Sequence, residues 1–407
     1  MKSPKNENEY RPAEAILSDP SNPFAHYTVK VRLPAIIDRV IEDNPDIGAH
    51  SVKALKKLRQ DLLNNMPMRM FAPPAPDYEQ WSSYFKDHEQ RLGHSATWQH
   101  AEWFFLEHFF FRSILSAVDY WKTGLDPFRS AKTRELNALQ HKKQIDTILS
   151  SRSNPLHIDV LADDFTHRLS FGLWGNQIDL SHDESQAHAA ERQTTLLTAN
   201  NLIVDDTASI CRLALQASKP IHIVCDNAGT ELTADLCIAD WFIKNRSIKV
   251  YLHVKEQPTY VSDATENDVE DLIKMLGSTA GPRARLEFAD RLIEAKESGN
   301  LMVKPEIFWN SPLFFNSLPE RIQQAFSDAG IIFIKGDMNY RRLLSDRIVP
   351  AADPLSHWAA HLPAPAVILR TMKSDPVAGV SSVRLDSLEK EHPDWRTSGR
   401  HGLIQLL

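Results

Sequence analysis

The stretch Ile221–Glu231, IHIVCDNAGTE, points to the fold more directly than any other part of the chain. An apolar run stops abruptly at Asp226 and Asn227, turns through Gly229, and leads into a helical sequence. Such a unit is a strand passing into a helix, and open α/β folds build their sites at the carboxyl ends of their strands. A carboxylate beside a carboxamide offers the hard oxygen donors that a divalent cation such as Mg²⁺ or Mn²⁺ takes.

The same pattern repeats from about Asn200 onward. Strands are expected at NLIVDD, IHIVCD, IKVYLHV, EIFWN, IIFIKGD and AVILRTMK, with helices beginning near Thr207, Glu231, Thr265, Arg283, Pro319 and Asn339. Short β-branched runs alternating with helices predict a mostly parallel sheet covered on both faces, a three-layer α/β/α sandwich over residues 191–407. Residues 21–190 instead carry helix-period apolar patterns, as in VRLPAIIDRVIEDN and SVKALKKLRQDLLNN, and predict a helical N-terminal region behind a polar tail of residues 1–20. Within that region WFFLEHFFFRSILSAVDYW is read as a buried core helix. Its Glu107 and Arg112 need partners if buried, and they either pair structurally or line a site.

Composition narrows the class. The chain has 407 residues, 42% hydrophobic and 24% charged, the balance of a soluble globular protein. With a net charge of −7, nothing suggests an electrostatic nucleic-acid binder, although local cations can still serve a small anionic substrate. No apolar run approaches the ~20 residues of a membrane helix, and MKSPKNENEYRPAE lacks the apolar core of a signal peptide. Cys211, Cys225 and Cys237 form neither a disulfide framework nor a zinc motif. They read as small buried side chains of a protein in the reduced cytoplasm.

Four junctions place polar groups where an apolar strand ends: Asp226-Asn227-Ala228-Gly229 followed by Glu231; Ser262-Asp263; Gly336-Asp337-Met338-Asn339-Tyr340-Arg341; and Arg370-Thr371-Met372-Lys373. Each alone has an ordinary explanation. Asp226-Asn227 suits a turn, Ser262 or Asp263 could cap the helix TENDVEDLIKML, and Asp337 and Asn339 could cap YRRLLSD. On neighbouring parallel strands, however, they converge on one sheet edge. Acids gathered so densely require a counter-charge. A divalent cation among the carboxylates and an anionic substrate among the lysine and arginines would satisfy both sets, which suggests phosphate chemistry. Phosphate loops of the Walker type and the GxGxxG fingerprint are absent. His222 and His253 lie in strand-like runs and are read as core residues.

DNAGTE, VSD, KGDMNYR and RTMK, in this order, resemble the damage-control phosphatases, a family long catalogued as a domain of unknown function. The RTxK element resembles that of its third subfamily, the sugar-phosphate phosphatases, which also includes proteins described as protein-glutamate carboxyl methyltransferases. FAHYTVKVRLP, the Glu107–Arg112 region, LWGNQIDLS and SGRHGLIQ extend the likeness over nearly the whole chain. The resemblance implies Asp226, Asn227 and Asp263 as metal ligands for Mn²⁺, Co²⁺, Ni²⁺ or Mg²⁺. It implies substrate contacts from Asp226, Asn227, Asp337, Met338, Asn339, Tyr340, Arg341 and Lys373. Glu231 matches a position assigned to S-adenosylmethionine in the methyltransferase description. Met338 replaces the family's usual leucine, and LEHFFFRS departs from the family's aromatic helix.

The expectation is therefore a metal-dependent phosphomonoester hydrolase acting on a small phosphorylated metabolite, with fructose 1-phosphate and fructose 6-phosphate implied. Asp226, Asp263, Asp337 and Lys373 would carry the catalysis. Lys373 and Arg341 would neutralise developing charge, and Asp337 and Asn339 would orient sugar hydroxyls. The nucleophile is water or Asp226, and water is favoured because Asp226 is already a ligand. The alternatives are the carboxyl methyltransferase and a non-catalytic sugar-phosphate sensor.

Overall fold

The computed structural model describes residues 14–71, 75–138, 145–146, 148–149, 158–174, 201–278, 281–359 and 361–407. Most of the expected polar tail, the element LWGNQIDLS beyond Trp174, and the boundary expected near residue 190 lie outside the described residues.

The strands are β1 (Glu14–Ala15), β2 (Leu202–Asp205), β3 (Ile221–Val224), β4 (Val250–Lys255), β5 (Leu301–Glu306), β6 (Ile331–Lys335), β7 (Arg347–Ile348), β8 (Ala366–Thr371) and β9 (Gly402–Leu406). Seven of them form one sheet in the order β2-β9-β8-β6-β3-β4-β5, while β1 and β7 make a small antiparallel pair. From β8 through β5 neighbouring strands run parallel, and β9 lies antiparallel to β8. Alternate strand residues face opposite sides. Thus Ile221, Ile223, Phe333 and Leu369 join one core, and Val224, Ile332, Ile334 and Ile368 join the other. Helices cover both faces, as the alternating sequence predicts.

Two expectations need correction. EIFWN is not a strand: Ile307–Asn310 form a 3₁₀ turn, and the edge strand β5 precedes it. Its Pro305 is tolerated because an edge strand need not donate on both sides. The helix expected near Asn339 begins earlier, spanning Gly336–Leu343.

The helical N-terminal region adds the aromatic helix Trp103–Ala117, almost wholly buried. It crosses the carboxyl ends of the strands and is tied there by buried charges. Glu107 meets Arg341 at 2.6 Å, and Lys132, on the helix Arg129–Asn137, meets Asp268 at 2.8 Å. Arg112, by contrast, pairs with Asp77 at 2.6 Å within the same region and stacks on Phe71 and Trp121, which is a structural role. Among the described residues no helix is long and apolar enough to cross a membrane.

Candidate functional site

Strands β8, β6, β3 and β4 are adjacent in the sheet, so all four polar junctions open on one edge. The loops after β3 and β4 are joined by backbone bonds. Ala264 N–H donates to Asp226 O at 2.8 Å, Ala228 N–H donates to Ser262 O at 2.6 Å, and Asn227 bridges Asp263. This pairing sets the Asp226 and Asp263 carboxyls side by side. Asp263 is not needed as a helix cap, because Thr265 caps Glu266–Leu276 in a reciprocal arrangement with Asp268.

The acids are buried. Asp226 is 6% exposed and Asp263 2%. Burial pushes the Asp226 carboxyl well above the usual range, and the Asp263 and Glu231 carboxyls push it further. Burial raises Asp263 as well, partly offset by Lys255, whose Nζ lies 3.2 Å from its Oδ2. Asn227 ties the group together: its Nδ2 donates to Asp226 Oδ2 at 3.2 Å and to Glu231 Oε2 at 3.0 Å, and Ser262 Oγ donates to its Oδ1 at 2.5 Å. Glu231 also faces Lys335 Nζ at 3.6 Å, which in turn binds Asp235 at 2.6 Å.

Among the described residues Asp226 Oδ1 and Asp263 Oδ2 are both buried without a hydrogen bond of good geometry, and a buried polar group left unpaired is costly. Among the described residues no three His, Cys, Asp or Glu side chains converge as metal ligands. The available oxygen set is instead two carboxylates and the Asn227 amide oxygen, a donor chemistry that fits a hard divalent cation.

The β6 junction approaches from the other side. Gly336, at φ +82°, begins the helix in contact with Asp226. Asp337 pairs with buried Arg370 at 2.7 Å and accepts the Lys373 backbone N–H at 3.3 Å. Burial opposes its charge, but Arg370 and Arg341 prevail and hold its carboxyl below the usual range. The Lys373 side chain is exposed, and among the described residues its ammonium makes no hydrogen bond or ion pair.

The rest of the run 338–341 is turned into packing. Met338 is buried. Asn339 is fully buried and donates to Cys225 O at 3.2 Å and Lys335 O at 2.8 Å, strapping the ends of β3 and β6 together. Tyr340 lies in the opposite core under the Arg370 guanidinium. Arg341 binds Asp346 at 2.7 Å and Glu107 at 2.6 Å, and it lies over Trp103. His222 and His253 share a buried hydrogen bond of 2.8 Å within the sheet, and all three cysteines are buried and free.

Sequence reasoning passed over Lys255 and Lys335. Both close an apolar strand, in YLHVK and IIFIK, where a buried ammonium demands a nearby anion. It also passed over Glu135, whose carboxylate accepts the Thr230 N–H at 3.2 Å where the helix after Gly229 begins.

Residues 28–388 match the family described as the damage-control phosphatase ARMT1-like domain. The chain belongs to that family. Among its relatives are proteins named damage-control phosphatase ARMT1. That of Danio rerio is 26% identical over 97% of this chain and 97% of its own length. That of Rattus norvegicus is 28% identical over 94% of this chain and 96% of its own, and that of Homo sapiens is 26% identical over the same shares. A crystal structure of a DUF89 family protein from Pyrococcus horikoshii superposes with a TM-score of 0.51 at 13% identity, covering 93% of this chain and 97% of that one. At that identity the likeness concerns the fold alone.

Proposed function

We propose that this family member is a phosphomonoester hydrolase of the cytoplasm that works with a divalent cation on small phosphorylated sugars, fructose 1-phosphate and fructose 6-phosphate among them. The observation that carries the reading is the buried, unpartnered Asp226 Oδ1 beside Asp263. Asp226, Asn227 and Asp263 would hold the cation, whether Mn²⁺, Co²⁺, Ni²⁺ or Mg²⁺. When bound, it supplies Lewis-acid polarisation of a phosphoryl oxygen.

The chain's own groups account for the rest. Lys373 offers a free ammonium to the phosphoryl oxygens. Asp337, fixed by Arg370, steadies the Lys373 backbone and presents its other oxygen to a sugar hydroxyl. Lys255 holds Asp263, and Ser262 and Glu231 orient Asn227. Met338, Asn339, Tyr340 and Arg341 act from behind, by fixing the helix that carries Asp337. Water attacks phosphorus as the ester P–O bond breaks, and the sugar alcohol leaves with a proton. Glu231, the position associated with S-adenosylmethionine, is in this reading an orienting group. Labelled S-adenosylmethionine with an acidic acceptor is therefore expected to give no methyl transfer.

The test is a panel of phosphorylated metabolites offered to chelator-stripped protein with each cation restored in turn. Hydrolysis that returns with a cation supports the reading, and none with any cation would overturn it.

A further inference from the structure

The segment FAHYTVKVRLP has no part in the chemistry above. It folds as a helix Pro23–Tyr27, a π-helical turn Thr28–Arg32 and a helix Leu33–Asp43. Leu33 N–H donates five residues back, to Thr28 O. Pro34 follows and has no amide hydrogen for the carbonyl four residues back, so the turn widens where a regular one cannot close. Wide turns of this kind concentrate at functional sites.

From that turn and the helix after it Thr28, Arg32, Ile36 and Arg39 line one wall of a cavity of about 380 Å³. Glu107, Tyr260 and Ser262 line another. Ser262 is the residue whose hydroxyl binds Asn227, so the cavity opens against the proposed cation site.

Two arginines and one glutamate line this cavity. Glu107 is already answered by Arg341 at 2.6 Å. Of the acids on the same helix, Asp38 is engaged with Arg59 at 2.9 Å and Asp43 with Arg134 at 2.7 Å. Among the described residues Arg32 and Arg39 make no ion pair or side-chain hydrogen bond. Arg32 approaches the Phe24 ring at 6.0 Å and feels the Glu107 carboxylate at longer range, as Arg39 feels Asp43. Seven residues apart on a helical path, the two arginines' Cα atoms are separated by about 10 Å along the axis. Guanidinium forks suit phosphate and carboxylate, which they bind through paired hydrogen bonds.

Resting on the phosphatase reading, we propose that this cavity receives the end of the substrate remote from the scissile phosphate, and that this end is itself anionic. The preferred substrate is then a sugar bisphosphate or a phosphorylated sugar acid, and Arg32 and Arg39 determine that preference. A neutral sugar end would form no ion pair with either guanidinium.

The experiment compares fructose 1,6-bisphosphate with fructose 6-phosphate, using the wild type, Arg32→Gln, Arg39→Gln and the double variant. Wild type is expected to favour the bisphosphate at least tenfold in kcat/KM. The double variant should cut that ratio tenfold or more, through KM for the bisphosphate, while the Arg→Lys pair keeps part of it. Unchanged melting temperatures show that the variants fold. No preference in wild type, or an unchanged ratio in the double variant, would overturn the proposal. If neither compound is hydrolysed with any cation, the phosphatase reading fails separately. Calorimetric binding of the same two compounds then decides: tighter bisphosphate binding that the double variant loses supports the anionic pocket, and equal binding overturns it.

Discussion

Gly336 and Asp226 compete for one space: a methyl group on Gly336 would sit 1.9 Å from Asp226 Oδ2. The glycine also holds φ at +82°, a conformation that costs an L side chain about 1–2 kcal/mol. Gly336→Ala should therefore lose roughly that much stability and also move the acid. A shift of about 1 Å in such a group lowers turnover by about 10²-fold. Denaturant melts and steady-state rates read both effects, and an alanine variant with full activity would refute the packing.

Asp226→Asn separates charge from shape. The buried carboxyl is held up by burial and by the Asp263 and Glu231 carboxyls, so the amide relieves repulsion in cation-free protein. Its melting temperature should rise while activity falls about 10³-fold and bound cation, measured by elemental analysis, drops. Near-normal turnover with added Mn²⁺ would remove Asp226 from the site.

Lys373→Ala should behave differently. The side chain is exposed and makes no ion pair among the described residues, so stability should change by less than about 0.5 kcal/mol. Cation content should remain, and kcat/KM should fall about 10²-fold. Loss of cation together with activity would contradict this assignment.

Arg341→Ala removes the partner of both Glu107 and Asp346, leaving buried charge uncompensated, at a cost of about 3–5 kcal/mol. Equilibrium unfolding measures it. Lost activity with intact stability would instead return Arg341 to substrate binding.

The His222–His253 pair sets an acid limit on stability. Burial lowers His222 to about 4 and His253 to about 3. Above pH 6.5 both are neutral whether folded or not and contribute nothing. Below it the unfolded chain takes up protons that the folded chain refuses, so each can remove up to about 1.4 kcal/mol of stability per pH unit until its folded value is reached. Unfolding free energies at pH 7, 6 and 5 should fall, and His222→Leu with His253→Leu should flatten that slope.

Much of this was legible in the sequence because strand ends advertise themselves. Apolar β-branched runs followed by Asp226, Asp263 and Asp337 located the sheet and the edge that carries the acids. β5 was missed because Lys304 and Pro305 interrupt its apolar run, a break that only an edge position excuses. The roles of Asn339, Tyr340 and Arg341 were illegible for another reason. Helical geometry sends successive side chains in different directions, and within Gly336–Leu343 it is the Gly336 backbone that abuts Asp226 while the Asp337 carboxylate turns to Arg370. Lys255 and Lys335 were visible as letters, but their partners lie on other elements.

The ion pairs that fasten the aromatic helix and its neighbours to the strand ends have an evolutionary consequence. Glu107 with Arg341, and Lys132 with Asp268, join segments far apart in the chain. Changing either partner alone strands a charge in the interior, so such positions can drift only in matched steps. The roof over the strand ends and the strand ends themselves are thus constrained to diverge together, and new substrate preferences should arise at the exposed arginines of the rim before they arise in these joints.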